Sequence, residues 1–194
     1  MIVVFWISML GLIYIYLGYP ALMWIIARVR PRPIQGARDA GGSISVILVA
    51  RNEAGVLADK LRSLLASSAA EQICEIIVAS DASSDKTDDV VREFDDNGVI
   101  LHRVEGRVGK TETQNQAVKV AKGDIVIFSD ATTHYKNDAI RKLVRNYNDP
   151  SVGAVSGRYE YVNPTGAPVG LGTILFWKYE NFIKSRQTRV KTIT

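Results

Sequence analysis

One cysteine in 194 residues rules out an internal disulfide. That residue, Cys74, stands beside an apolar run and reads as a buried structural thiol, which fits a reducing compartment. Charge is missing from a long stretch as well: Ile2 to Ala27 carries no charged side chain. A cleaved leader needs basic residues ahead of a shorter apolar core, and here the basic residues come after it. As a helix those 26 residues span roughly 39 Å, more than the ~30 Å hydrocarbon core of a bilayer. No concentrated basic surface exists either. The net charge is +4, but residues 1–42 (four Arg, one Asp) hold +3 of it, and the other 152 residues, with 20 basic and 19 acidic groups, hold +1. A near-neutral globular part argues against a nucleic-acid groove. Internal repeats and low-complexity tracts are absent. With 47% hydrophobic and 23% charged residues, the chain can build a packed core and is not a disordered one.

What is present begins with an anchor. Residues 1–27 read as a transmembrane helix with Trp6, Tyr14, Tyr16, Tyr19 and Trp24 suited to interfaces or helix contacts. Pro20 is a candidate kink. Arg28, Arg30, Arg32 and Arg38 follow, and the positive-inside rule places the carboxyl side in the cytoplasm. Residues 28–42, with Pro31, Pro33, Gly36, Gly41 and Gly42, read as a linker.

Beyond it, strand and helix signals alternate. Ile44 to Ala50 is a continuous apolar run of the kind covered on both faces. Leu57, Leu61, Leu64 and Leu65 recur at helical spacing. Glu75 to Ser80 is a second strand, Val99 to Val104 a third and Ile125 to Ser129 a fourth. Between them lie a helix opened by Asp85, with Asp88 in capping-box position, and a helix over Thr111 to Ala121. Asn137 caps a helix carrying Ile140, Leu143, Val144 and Tyr147, and Val152 to Val162 reads as a strand or hairpin arm. Ile174 to Thr194 reads equally as a helix at a membrane surface or an ordinary amphipathic helix. The alternation predicts an α/β domain, a mostly parallel sheet with helices on both faces, after an N-terminal transmembrane helix.

Two of the strands run into carboxylates, Asp81 and Asp130. In open α/β sheets, ligands bind outside the carboxyl ends of the strands. Acidic groups there can grip a base, a ribose or a divalent cation. A dinucleotide fold needs G-x-G-x-x-G after the first strand; Arg51-Asn52-Glu53-Ala54-Gly55 has one glycine and a repelling carboxylate. A P-loop needs four residues between its glycines, and Gly106-Arg107-Val108-Gly109-Lys110-Thr111 has two. That P-loop NTPase reading ranks third.

Four segments agree in order and spacing with another design. They are Ser45 to Glu53; Ile76 to Thr87, with Ser80-Asp81-Ala82-Ser83-Ser84-Asp85; Gly109-Lys110-Thr111 with Asn115-Gln116-Ala117; and Gly123 to Asp130. Together they resemble the family 2 glycosyltransferases of GT-A fold, over Ser43 to about Tyr161. The resemblance implies a GT-A domain over residues 43–194, incomplete at its C-terminus, and an inverting transfer of sugar from a nucleotide-diphosphate donor, a UDP-sugar first. The acceptor would be a glycan or a lipid-linked sugar at the cytoplasmic face of the cell membrane, with membrane assembly partners possible and no nucleic acid. By that resemblance Asp81 accepts the imide N–H of uracil, and Ala50, Asn52 and Glu53 lie by the base. Arg51 replaces the family's usual aromatic residue and is open between base or phosphate contact and a solvated loop. Lys110, at a helix start that already favours anions, holds diphosphate; Asn115 is open between that pocket and the helix surface. Asp85 reads as a cap.

Asp130 opens the segment matching the family's Asp-x-Asp motif, and the resemblance implies it as the ligand for Mg²⁺ or Mn²⁺, open between Asp130 with phosphate and water, help from another residue, and a weak metal dependence. Asp130-Ala131-Thr132 has no second acid, and a threonine hydroxyl is a weaker ligand. His134 reads as a surface residue. The catalytic base that deprotonates the acceptor has no match among Glu160 and Glu180; by the resemblance it lies beyond Thr194. The alternative is therefore a non-catalytic GT-A-like nucleotide-binding or scaffold module.

Overall fold

The computed structural model describes residues 1–32, 41–158, 160 and 171–190. In chain order its elements are α1 (Ile2–Ile13), α2 (Tyr19–Val29), β1 (Ile44–Ala50), α3 (Ala54–Leu65), β2 (Ile73–Asp81), α4 (Thr87–Arg92), β3 (Val99–Val104), α5 (Lys110–Val120), β4 (Ile125–Asp130), α6 (Ala139–Val144) and α7 (Leu171–Arg189). Among the described residues, 41–148 form one compact unit, and 1–32 with 149–158, 160 and 171–190 form another.

The first unit is built on four parallel strands in the order β3-β2-β1-β4. Successive residues of β1 face opposite sides of the sheet. Val46 and Leu48 join Leu57, Leu61 and Leu64 of α3, Val91 of α4 and Ile140 and Val144 of α6 in the larger core. Ile47 joins Ile77, Ala79 and Ala117 of α5 in a smaller core on the other face. Helices thus cover both faces, and the unbroken apolar run of β1 is the consequence. The leucine spacing of α3 is the apolar stripe that docks it, each fully buried leucine contributing about 2 kcal/mol.

β4 is less covered than its apolar run suggests. It pairs only with β1 among the described residues, so it is an edge strand, and Phe128 is 51% exposed. Further departures are local. Cys74 is exposed rather than buried, although its thiol donates to the Ile44 carbonyl at 3.3 Å; it lies near the start of β2, short of the stretch that α3 and α5 cover. Asp85 does not occupy the cap position, which is Lys86, but its carboxylate accepts from the Thr87 N–H (2.9 Å) and hydroxyl (2.5 Å). Those bonds, the hydroxyl's first, lower its pKa. Asp88 makes no capping box; it turns inward to accept from Ser80 Oγ at 2.6 Å and from Arg103. Asp138, not Asn137, precedes α6, because the Asn137 carbonyl is engaged by Ser68. Residues 152–158 form no strand, since extended backbone becomes sheet only by pairing and no described strand pairs with them. Tyr159, Tyr161 and Val162 lie outside the described residues.

In the second unit, α1 and α2 are joined by a π-helical turn, Tyr14–Gly18, so one helical stretch runs from Ile2 to Val29, two residues past the expected end. It is the only described helix long and apolar enough to cross a membrane. Pro20 has no N–H to offer the Tyr16 carbonyl four residues earlier. The hydroxyl of Tyr179 in α7 donates to that carbonyl at 3.0 Å. Gln187 of α7 donates to the Tyr19 hydroxyl at 2.5 Å.

Candidate active site

The strand register decides which side chains meet. Ala50 of β1 pairs with Ser80 of β2, and Val49 pairs with Asp130 of β4. Asp81 and Asp130 therefore flank the carboxyl end of β1 from its two sides. The strand order reverses at β1, between β2 and β4, which is where an open α/β sheet leaves a crevice. A cleft of about 320 Å³ lies there, lined by Val49, Arg51, Glu53, Asp81, Lys110, Asp130, Ala131 and Thr132.

Asp81 is 5% exposed. Its Oδ1 accepts from the backbone N–H groups of Val108 (3.0 Å) and Gly109 (3.4 Å). Gly109 has φ +87°, a conformation suited to glycine, and ends the loop at the first turn of α5. The same loop thus closes on Asp81 and delivers Lys110. Because the Val108 and Gly109 N–H groups are occupied, they are not free to wrap a phosphate as a P-loop would.

Lys110 Nζ lies 2.5 Å from Asp130 Oδ1, and both side chains are about half exposed. The cleft holds two cations, Arg51 and Lys110, and three carboxylates, Glu53, Asp81 and Asp130. A diphosphate entering it needs further positive charge. No group of three or more His, Cys, Asp or Glu side chains among the described residues can hold a metal unaided. A hard divalent cation bound through one carboxylate plus substrate phosphates and waters fits the donor set. Asp130 would be its protein ligand. His134 is exposed.

The other expected site residues divide. Glu53 lines the cleft at the start of α3, its N–H donating to Thr87 Oγ1 at 2.9 Å. Ala50 is buried in the main core and is not part of the lining. Asn52 adopts φ +55°, which asparagine tolerates, and its Oδ1 accepts from the Ser84 N–H at 2.9 Å. It binds the β1–α3 loop to the β2–α4 loop. Asn115 is exposed on α5 and does not line the cleft. Five residues turn a helix by about 140° beyond one full turn, which carries it away from Lys110.

Lys60 was not among the expected site residues. It is 2% exposed, donates to the Thr133 carbonyl at 2.5 Å, and sits 4.0 Å over the Tyr135 ring. Its signal was visible: position 60 shares the helical face of Leu57, Leu61 and Leu64. Burial lowers its pKa from 10.5 to about 8, while Asp130 pulls the other way. Burial, offset in part by a hydrogen bond with Ser129, raises that of Tyr135.

A pH prediction follows. Below about 8 Lys60 is charged in both folded and unfolded chains; between about 8 and 10.5 only the unfolded chain keeps the proton. The unfolded state binds more protons there, so stability from this group rises with pH. Relative to Lys60→Met, the wild type gains about 2 kcal/mol from pH 7.5 to pH 10 in paired urea titrations.

Comparison with known proteins identifies the fold and the family. A mannosyltransferase from Pyrobaculum calidifontis, solved with GDP-Man and Mn²⁺, superposes with a TM-score of 0.63 at 27% identity, over 74% of this chain and 44% of its own. GalNAc-T7, with a TM-score of 0.52 and 23% identity over 57% of this chain and 21% of its own, adds a likeness of fold. The fold is the GT-A type of α/β domain. Residues 45–193 match the model for glycosyl transferase family 2, and the chain belongs to that family. It is 31% identical over 147 residues to the poly-beta-1,6-N-acetyl-D-glucosamine synthase of Staphylococcus aureus, covering 75% of this chain and 35% of that protein. It is also 31% identical to the probable glycosyltransferase YdaM of Bacillus subtilis over 126 residues, 62% of this chain and 30% of that one. The chain spans about a third of the length of these curated relatives.

Proposed function

We propose that this chain carries the donor-binding part of an inverting glycosyltransferase that moves a sugar from a UDP-sugar to a glycan or lipid-linked acceptor. The carrying observation is that Asp81 and Asp130 flank β1 in one cleft, with Lys110 between the loop that Asp81 holds and the Asp130 carboxylate. Asp81 takes the base, and Lys110 moves from Asp130 to the diphosphate. The Asp130 carboxylate so freed would be the protein ligand for Mn²⁺ or Mg²⁺, with phosphate oxygens and water completing the shell. A divalent cation there offsets the charge that develops on the leaving diphosphate. In the transfer, an acceptor oxygen bonds to the anomeric carbon as the carbon–phosphate oxygen bond breaks, and the acceptor proton goes to a base. The mannosyltransferase with GDP-Man and Mn²⁺ supports a nucleotide-sugar and metal reading. The synthase relative supports a polysaccharide product.

The stretch Ile2–Val29 serves as the membrane anchor, with Arg28, Arg30 and Arg32 on the cytoplasmic side. The absent second carboxylate in Asp130-Ala131-Thr132 favours a second reading, a binding module without turnover. The two share donor binding and part at UDP-sugar consumption.

The test is a thermal melt of the 194-residue chain in detergent. UDP with Mn²⁺ at about 100 times Kd stabilises by ~2.7 kcal/mol and raises Tm by roughly 5–10 °C. Mn²⁺ alone gives a small shift, because Lys110 occupies Asp130. No UDP-dependent shift, with or without Mn²⁺, sinks the proposal.

A further inference from the structure

The cleft's Asp130–Thr132 edge belongs to the loop between β4 and α6, residues 131–138, of which only Ala131 and Thr132 reach the lining. Among the described residues the loop starts on a strand paired on one side only, and position 132 holds a threonine where a second acid could share a cation. Within it, the Thr133 N–H donates to the Asp130 carbonyl at 3.2 Å, so the turn that carries Thr133 is built directly on Asp130. The Thr133 carbonyl accepts from Lys60 of α3, and the Tyr135 ring lies against the same ammonium. Lys60 is buried among the core leucines of its helix. A cation so desolvated is held only by partners in fixed geometry. Among the described residues, the carbonyl and the ring that meet it are both in this loop.

We infer that Lys60 is a positioning residue: its buried ammonium clamps the Asp130–Tyr135 loop and sets the Asp130 carboxylate at the diphosphate end of the cleft. The inference rests on the donor-site reading above for its ligand consequences, but not for the clamp itself. Lys60 does not touch the cleft. It acts through the loop backbone, and through a ring that also packs against the main core. In place of a second carboxylate converging on a metal, this chain uses an internal cation pulling the loop from behind. The base end of the cleft, held by the Asp81 tie to Val108 and Gly109, is independent of it.

The experiment compares the 194-residue wild type with Lys60→Met, and with Tyr135→Leu in case the first variant folds poorly. Hydrogen exchange is measured on the ligand-free chains, and titration calorimetry with uridine and with UDP plus Mn²⁺. Expected in either variant are faster exchange at residues 131–135 with the β1 and β2 amides unchanged. UDP with Mn²⁺ binds about tenfold more weakly, as for loss of a charged hydrogen bond, and uridine binds within twofold of wild type. A merely structural lysine would weaken uridine and UDP alike, or loosen α3 and the sheet together, and either result overturns the inference. Unchanged exchange at 131–135 overturns it as well. If the wild type binds neither ligand, the donor-site reading falls, and the exchange rates alone decide whether Lys60 holds the loop.

Discussion

Asp81→Asn weakens UDP binding about thirtyfold or more while leaving the loop before α5 closed. Under the proposed donor-site reading, the Asp81 carboxylate has two tasks. Oδ1 accepts the Val108 and Gly109 N–H groups, and an amide oxygen can accept them equally. The remaining oxygen becomes an NH₂ group, a donor facing the imide N–H of uracil, which is also a donor. A charge-assisted hydrogen bond is lost and a donor–donor clash replaces it, together about 2–3 kcal/mol at ~1.4 kcal/mol per tenfold. Cytosine carries an acceptor at the same ring position, so the variant's preference moves from UDP toward CDP. Asp81→Ala loses both tasks. It abolishes the UDP-dependent melting shift and also lowers the ligand-free Tm, since two backbone donors lose their acceptor at a position only 5% exposed. Calorimetry with UDP and CDP, and melts without ligand, distinguish the three chains. An Asn variant that binds UDP as the wild type does would remove Asp81 from the base pocket.

The parallel sheet was legible because β1 and β2 are covered on both faces, and a doubly covered strand has to be apolar throughout. The convergence of Asp81 and Asp130 was legible for a related reason: both end strands, and parallel strands end on one edge. What the residues alone did not reveal was register and sidedness. Asn52 and Glu53 are neighbours in the chain, but a positive φ at Asn52 turns its side chain to Ser84, while Glu53 lines the cleft. For Asn115, open between pocket and helix surface by its spacing alone, the rotation of α5 is what puts it on the exposed face. Asp88 looked like a capping residue by spacing, yet Ser80 of β2 and Arg103 of β3 claim it, and Arg103 is within reach only once β2 and β3 are paired. Lys60 was the one omission with a local signal, a charge on the apolar stripe of α3.

Gly123→Ala is expected to be the most destabilising single-methyl change in the sheet unit. A Cβ at position 123 would stand 2.4 Å from the Ser45 nitrogen and 2.8 Å from the Ile44 carbonyl carbon. Both are backbone atoms of β1, the central strand, which is hydrogen-bonded on both sides and cannot rotate aside as a side chain would. The third contact, Ser45 Oγ at 2.8 Å, accepts the Gly123 N–H and donates to Glu75 Oε1. That carboxylate in turn accepts the Lys122 N–H at 2.6 Å. Relief of the clash therefore requires parting the Lys122–Gly123 backbone from β1 and breaking a buried hydrogen-bond chain. Overpacking against mobile side chains costs about 1–3 kcal/mol; against fixed backbone, ~3 kcal/mol or more is expected. In a chain of this size that lowers Tm by roughly 6–12 °C. Gly55→Ala is the control. It lies in the first turn of α3 with nothing within 4 Å of the added carbon, and alanine there is neutral or stabilising by up to about 1 kcal/mol. The two variants add the same methyl group, so urea unfolding of the pair reads the close approach of the 122–123 backbone to β1 directly. Equal midpoints would mean that β1 does not pass beneath Gly123. The register that brings Asp81 and Asp130 to one edge would then have to be redrawn.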